Sequence, residues 1–249
     1  MTEAVLWVDP AGSVAVDAAG QAVWATMPTH ARQLVRVDAI ADRWAARVDT
    51  ADVETLARRA GGRVAETREF GDDRPVTRAI ALLRHRDQLR FDPHDGSELT
   101  FDADGIIGRG SRDRRVFPRV DPAVIGLIEL AGTDRILLAR NAHRGTFWSL
   151  IAGYVDPGEN LEEAFAREAC EETGRRIHSV RYWGSQPWAA SGSLMVGFTA
   201  RTDDQEAVAP TDGELAEIRW VDRDEVDDLP LARPGSIAHA MITEWRNKR

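Results

Sequence analysis

The stretch that most constrains this chain runs from Gly153 to Gly174: Gly-Tyr-Val-Asp-Pro-Gly-Glu-Asn-Leu-Glu-Glu-Ala-Phe-Ala-Arg-Glu-Ala-Cys-Glu-Glu-Thr-Gly. From Leu161 to Glu172 it has no proline, glycine or β-branched residue. A helix is therefore predicted there, opened by the Pro157-Gly158 turn with Asn160 as cap and closed at Gly174. Glu168, Glu171 and Glu172 stand at i, i+3 and i+4, which puts their carboxylates on one face, while Leu161, Phe165 and Ala169 line another face that can be buried. Like charges at that spacing repel, so the face needs a compensating partner. Oxygen donors of this kind suit Mg²⁺ or Mn²⁺ better than Zn²⁺. The plain alternative is a solvated acidic helix face.

The whole pattern weighs against that alternative. Gly153, Glu159, Arg167-Glu168, Glu171-Glu172 and Gly174 together resemble the signature of the Nudix hydrolases, at the family's spacing. One position departs: the family places an aliphatic residue after the last glycine, where this chain has Arg175, and Ile177 is the nearby residue able to supply that packing.

At 249 residues the chain can build one large or two modest cores. No run approaches membrane-spanning length, and the start Met1-Thr2-Glu3-Ala4-Val5-Leu6-Trp7 lacks the basic opening and long apolar core of a signal peptide, so a cytoplasmic protein with no membrane partner is expected. The single Cys170 excludes an intramolecular disulfide and a cysteine-only zinc site within one chain, and reads as a small buried residue rather than a nucleophile. A net charge of -9 argues against broad nucleic-acid binding through phosphates.

Taken in order, residues 4 to 27 alternate short apolar runs with turn signals and read as a β-meander. Leu34 to Ile40 adds a strand, and Ala51 to Ala60 a short helix opened by Thr50 or Asp52. Pro75 to Leu89 is a helix with a stripe at Val76, Ile80, Leu83 and Leu89, expected to connect the two halves. Asp92 and Asp95 flank His94 at the spacing of a metal-binding pair, which is also common in plain turns. A hairpin signal follows at Asp104-Gly105, then a basic run from Arg109 to Arg119.

Beyond Pro122 the pattern changes. Apolar runs at Ala123 to Leu130, Arg135 to Ala139 and Trp148 to Val155 lead into the carboxylate helix. Strands are expected at Tyr182-Trp183, Ser193 to Ala200 and Glu217 to Val221, with an amphipathic closing helix over Ser236 to Trp245. This order gives an α/β fold, a mixed sheet between helices in an α/β/α sandwich. The expected domains are a small mixed unit at 1–90, a connecting segment at 91–119 and the catalytic domain at 120–249.

Ser185-Gln186-Pro187-Trp188, then Ser193-Leu194-Met195, with Phe117-Pro118-Arg119 and Pro122 before them, resemble the NADH pyrophosphatase branch of the Nudix superfamily. The resemblance runs from about Phe91 to the end of the sequence. Members of that branch hydrolyse NADH and, in some cases, the NAD cap of RNA. There the element continues Pro-Phe-Pro, where this chain has Ala189-Ala190-Ser191. The branch also carries a zinc ribbon with two cysteine pairs. Here Asp92 and Asp95 occupy the first pair's places and no cysteines stand near Arg109 to Arg115, so a degenerate, metal-free hairpin region without structural zinc is expected.

By that resemblance Glu168, Glu172 and Glu214 are metal ligands, Glu171 a ligand or helper, and the main-chain carbonyl of Ala152 a further ligand. Arg167 orients a glutamate, so that Glu172, Glu171 and Arg167 form the catalytic group. Phe117, Gln186, Pro187, Trp188, Ser193 and Ala238 match the nucleotide-binding surface. The implied activity is Mg²⁺- or Mn²⁺-dependent hydrolysis of the pyrophosphate of NADH or NAD to AMP and nicotinamide mononucleotide, by a homodimer. ADP-ribose, dinucleoside polyphosphates or NAD-capped RNA are the alternative substrates, and a nucleotide-sensing module without turnover is the non-enzymatic alternative.

Overall fold

The computed structural model describes residues 4–71, 73–142 and 146–248. Met1, Thr2 and Glu3, which enter the reading of the N-terminus, lie outside them. The chain divides into two units. The first comprises the residues up to Val120 together with Pro187–Gly192, and the second comprises Asp121–Gln186 and Ser193 onward.

The first unit is built on β1 (Ala4–Val8), β2 (Val14–Val16), β3 (Trp24–Ala25), β4 (Gln33–Asp38), β5 (Arg43–Arg47), α1 (Thr50–Arg59), β6 (Arg63–Ala65) and α2 (Arg74–Gln88). Its sheet runs β4-β5-β1-β2-β6, with β3 returning to β1. Residues 4–27 pair antiparallel as expected of a meander, β1 with β2 and Val16 with Ala22, but β3 returns to β1. The strand β5, from beyond that stretch, joins parallel to β1 with Val5 opposite Trp44, so the sheet as a whole is mixed. Alternation sorts the strand side chains to two faces. Leu6, Val8, Val35 and Val37 pack with Val76, Ala79, Ile80 and Leu83 of α2. Val5, Ala15 and Ala46 pack with Val53 and Ala57 of α1. The helix α2 is therefore a core element of this unit rather than a connector, and Leu89 falls at its C-terminal cap outside the buried stripe. The N-cap of α1 is Asp49, not Thr50 or Asp52.

A three-stranded sheet follows in the same unit, β7 (Thr100–Phe101), β8 (Gly108–Arg109) and β9 (Arg115–Val116). Asp104-Gly105 forms the turn between the first two, with the Gly105 N–H donating to the Asp102 carbonyl at 2.9 Å. Asp92 and Asp95 act inside this region as hydrogen-bond acceptors. Asp92 Oδ1 accepts from the His94 N–H at 2.9 Å and from Arg114 at 3.1 Å. Asp95 accepts from Ser97 Oγ at 2.6 Å and from Ser111 Oγ at 3.3 Å.

The second unit contains β10 (Asp121–Leu130), β11 (Arg135–Asn141), β12 (Ile151–Tyr154), α3 (Leu161–Thr173), β13 (His178–Trp188, to Gln186 in this unit), β14 (Ser193–Thr202), β15 (Leu215–Asp222) and α4 (Ile237–Asn247). Its sheet has the order β13-β14-β10-β11-β15, with β12 on β10. It is mixed: β10 is parallel to β14, Val124 facing Val196, and antiparallel to β12, Val124 facing Gly153. One face, with Val124, Ile128, Leu137 and Phe198, receives Ala164, Phe165 and Ala169 of α3. The other, with Ile125, Leu127, Ile136 and Leu138, receives Ile237, Met241, Ile242 and Trp245 of α4. This is the α/β/α sandwich expected from the order of apolar runs. No helix of the described residues is long and apolar enough to cross a membrane.

Candidate active site

The frame of the site is α3 and its two ends. At the start, Asn160 and Glu163 form a reciprocal cap: the Glu163 N–H donates to Asn160 Oδ1 at 2.8 Å and the Asn160 N–H to Glu163 Oε2 at 3.0 Å. At the end, Gly174 takes the left-handed conformation, φ 69°, and its N–H donates to the Cys170 carbonyl at 2.8 Å. Two further carbonyls of the last turn find donors. Glu171 O accepts from the Asp212 N–H at 2.9 Å, and Thr173 O from the Arg175 guanidinium at 2.7 Å. Arg175 is only 8% exposed. It also donates to Gln205 O at 3.2 and 2.9 Å and stacks over Trp220. The position that departs from the family pattern therefore docks the helix through carbonyls and an aromatic face, while Ile177 packs against the core beneath. Cys170 is half-buried rather than buried.

Arg167 organises the solvent side of the glutamates. It donates to Glu159 at 2.6 and 3.0 Å, to Glu168 Oε1 at 2.9 Å, to Glu171 Oε2 at 2.9 Å and to the Tyr154 carbonyl at 2.9 Å. Its hydrogen bond to Glu159, with those to Glu171 and Glu168 against its desolvation, holds the guanidinium firmly protonated, and the same bond holds the Glu159 carboxyl below the usual carboxylate range. Glu168 goes the other way: burial pushes its pKa up, the Arg167 contacts oppose this, and Glu171 and Glu214 add repulsion.

Glu172 lies deepest, 4% exposed, with Oε2 buried and without a hydrogen-bond partner. Its pKa is pushed up to about 8, first by burial and then by the charges of Glu168, Asp212 and Glu214, against a backbone hydrogen bond from Ala152. Gly153 explains how the carboxylates fit beside β12. A Cβ there would come within 2.0 Å of the Glu168 carboxylate, so only glycine lets that group lie against the strand.

Does this set suit a divalent cation? The donors are oxygens, one of them is buried and orphaned, and burial, with like charges beside it, raises the pKa of Glu168 and of Glu172. That is the chemistry a hard cation answers. Among the described residues no group of three or more His, Cys, Asp or Glu side chains is placed to hold a metal ion as it stands. Arg167 engages Glu168 Oε1 and Glu171 Oε2 in hydrogen bonds. By the chemistry of their donors the residues fit the group.

The structure thus brings Ala152, Arg167, Glu168, Glu171, Glu172 and Glu214 into one unit, on β12, α3 and the turn before β15. Of the nucleotide-binding candidates, Gln186, Ser193 and Ala238 belong to the same unit, and Phe117, Pro187 and Trp188 to the other. Phe117 is 56% exposed. Ser193 and Ala238 are buried, the latter in the core under α4. The Gln186 carboxamide is engaged at both ends, donating to Gly235 O at 2.8 Å and accepting from the Ile237 N–H at 2.8 Å. It clamps the segment that opens α4. Ala189 packs into the first unit's core, whereas Ala190 is exposed. A cavity of about 260 Å³ is lined by Leu229, Pro234, His239 and Arg246, and none of the glutamates lines it. Sequence reasoning missed Asp212. Its only local signal is the Asp-Gly-Glu turn that precedes Glu214.

Comparison with known proteins adds to this geometry. A family model described as NUDIX domain matches residues 120–245. The curated protein named NAD-capped RNA hydrolase NudC from Mycobacterium bovis (strain BCG / Pasteur 1173P2) is 41% identical over 191 residues, 68% of this chain and 59% of that protein. Its namesake from Vibrio parahaemolyticus is 34% identical over 171 residues, 68% of this chain and 64% of that protein. The chain thus spans less than two thirds of the length of these relatives. A solved NUDIX hydrolase from Nitrosomonas europaea aligns with a TM-score of 0.54 at 20% identity, covering 65% of this chain and 92% of that one, a likeness of fold.

Proposed function

The chain belongs to the NUDIX family, and from that premise we propose that it is a divalent-metal-dependent pyrophosphohydrolase that cleaves NADH or NAD to AMP and nicotinamide mononucleotide. Nudix hydrolases generally use a divalent metal such as Mg²⁺ or Mn²⁺. The observation that carries the reading is the buried, unpartnered Oε2 of Glu172 set among the charges of Glu168, Asp212 and Glu214. Glu168, Glu172, Glu214 and the Ala152 carbonyl would hold the ion. When bound, Mg²⁺ or Mn²⁺ supplies Lewis acidity and neutralises the pyrophosphate dianion.

The chain's own groups do the rest. Arg167 orients Glu171 and Glu168 through its hydrogen bonds to them. Water adds to one phosphorus, the P–O–P bridge breaks, and a site carboxylate accepts the proton released by the water. Neither glycosidic bond is touched. No covalent intermediate is needed, and the products are two mononucleotides. The nucleotide contacts assigned by resemblance to Phe117, Gln186, Pro187, Trp188, Ser193 and Ala238 belong to this proposal, as do a homodimer and a cytoplasmic location. The relatives named as NAD-capped RNA hydrolases support an NAD-containing substrate and place capped RNA among those to be tried.

A second reading rests on Ala189-Ala190-Ser191. With Ala190 exposed where the resembled branch has an aromatic ring, a looser nucleotide pocket favours other diphosphate-linked substrates such as ADP-ribose. One experiment separates the two. NADH, NAD, ADP-ribose, a dinucleoside polyphosphate and NAD-capped RNA are incubated with Mg²⁺ or Mn²⁺ and the products resolved by chromatography. AMP and reduced nicotinamide mononucleotide from NADH are expected. Free nicotinamide, or efficient cleavage of ADP-ribose with NADH untouched, overturns the NADH assignment.

A further inference from the structure

The turn Asp212-Gly213-Glu214 joins two carboxylate-bearing segments that lie far apart in sequence. The Asp212 N–H donates to the carbonyl of Glu171, in the last turn of α3, at 2.9 Å. Asp212 Oδ1 accepts the Glu214 N–H at 3.0 Å. Gly213, φ 84°, allows the reversal between them. On the far side the Glu214 carbonyl accepts the Ala142 N–H at 3.0 Å, just before the register shift at Arg140/Asn141 where β15 starts to pair with β11. Both backbone polar groups of Glu214 are therefore fixed, one of them by the side chain of a residue whose own backbone N–H is tied to α3. Glu172, next to Glu171, carries the buried oxygen without a partner.

We propose that Asp212 is a positioning residue for the cation site, fixing Glu214 against the C-terminal turn of α3 so that its carboxylate meets those of Glu168 and Glu172. The proposal rests on the reading that these three glutamates hold a divalent cation. Asp212 carries a charge as well as an acceptor, and the two roles separate chemically. Asparagine keeps the acceptor and loses the charge, whereas alanine loses both.

The test is Mn²⁺ binding to the full chain by titration calorimetry, which needs no turnover. Hydrogen-bond partners that orient metal ligands typically alter affinity by roughly 10–100-fold when removed. Asp212→Ala is therefore expected to bind Mn²⁺ at least about tenfold more weakly than Asp212→Asn, with Asp212→Ser, which also retains an acceptor, close to the asparagine variant. In a Glu214→Gln background the gap between Ala and Asn should close, because the effect runs through Glu214. Equal affinities for Asp212→Ala and Asp212→Asn in otherwise native chain overturn the positioning role, as does a gap that persists in Glu214→Gln. If the native chain binds Mn²⁺ no better than Glu172→Gln, the cation reading itself fails and this inference falls with it. That outcome is distinct from equality of the two Asp212 variants in a chain that binds Mn²⁺ well.

Discussion

Asp92 and Glu172 are both deeply buried, 1% and 4% exposed, and each has one carboxylate oxygen without a hydrogen-bond partner. Their surroundings differ. Asp92 sits in the region that resembles a zinc ribbon, where its other oxygen receives the His94 N–H and the Arg114 guanidinium. Glu172 faces Glu168, Asp212 and Glu214, all of its own sign. The chain has supplied its own cation at Asp92 and left Glu172 wanting one. A buried carboxylate facing like charges is unstable unless something neutralises it, by proton or by metal. The contrast separates a carboxylate used as a structural acceptor from one kept for chemistry, although both belong to short acidic motifs in the sequence.

The largest expected effect breaks the comparison at Glu172. Glu172→Gln keeps the volume and removes one charge from the proposed ligand set, so turnover should fall at least about a hundredfold while the fold remains. Steady-state kinetics beside circular dichroism checks this. Near-normal activity in a folded variant would remove Glu172 from the reaction.

Stability against pH sharpens the same contrast. Glu172 has a folded pKa of about 8, above the ordinary value of 4.5, so the folded chain binds the extra proton more tightly than the unfolded one. The associated stability is present below the unfolded pKa and is lost as pH rises through about 8. In chelator the melting temperature should therefore fall between pH 5.5 and 8.5, by roughly 5 °C or more if the shift is worth several kcal/mol. Excess Mg²⁺ should restore most of that loss at the higher pH and little at the lower, because the ion binds the ionised form. A melting temperature in chelator that does not change over this range counts against the buried-charge account.

At Asp92 the expected effects are smaller and indifferent to metal. Asp92→Ala leaves the His94 N–H without its acceptor and Arg114 without its partner, a loss of about 1–3 kcal/mol in urea unfolding. Asp92→Asn keeps the acceptor and gives up the pair with a half-exposed arginine, which is worth about 1 kcal/mol or less. Neither variant should respond to chelator, and elemental analysis should find no stoichiometric zinc. One zinc per chain would contradict the metal-free reading of residues 91–119.

How far the sequence carried these conclusions depended on how local each signal was. The helix α3 was legible because its cap, its apolar stripe and its terminal glycine all fall within a few residues of one another. The strand β5 was not. Arg43-Trp44-Ala45-Ala46-Arg47 shows no alternation, and Arg47 is buried only because Asp87 and the carbonyl of Asp9 receive it from elsewhere in the chain. The cap at Asp49 lay one residue from the expected Thr50. At the site, the carboxylates of α3 could be placed on one face by counting. Asp212 could not be placed, since its bond to Glu171 spans a loop. The clamp that Gln186 forms on Gly235 and Ile237 was hidden for the same reason.

Arg175 tests the smallest difference, that between this chain and the aliphatic residue its family places after the closing glycine. Arg175→Leu removes the donor to the Thr173 carbonyl and the two bonds to Gln205 O. Gln205 O keeps the Trp220 indole N–H at 2.8 Å, so only Thr173 O is left without this donor. Leucine in turn offers apolar contact with the Trp220 face without the desolvation of a guanidinium. The balance should be a loss of about 1 kcal/mol. Arg175→Ala should lose more, because it also empties the space over Trp220, and Arg175→Lys should not rescue it, since an ammonium lacks the planar fork that reaches both carbonyls. Mn²⁺ affinity should stay within about twofold in all three, because Glu168 and Glu172 are set by the face of α3 that packs on the sheet and not by its last carbonyl. If Arg175→Leu is more stable than the native chain, the carbonyl contacts contribute nothing net, and the family's aliphatic residue is the better stop for this helix.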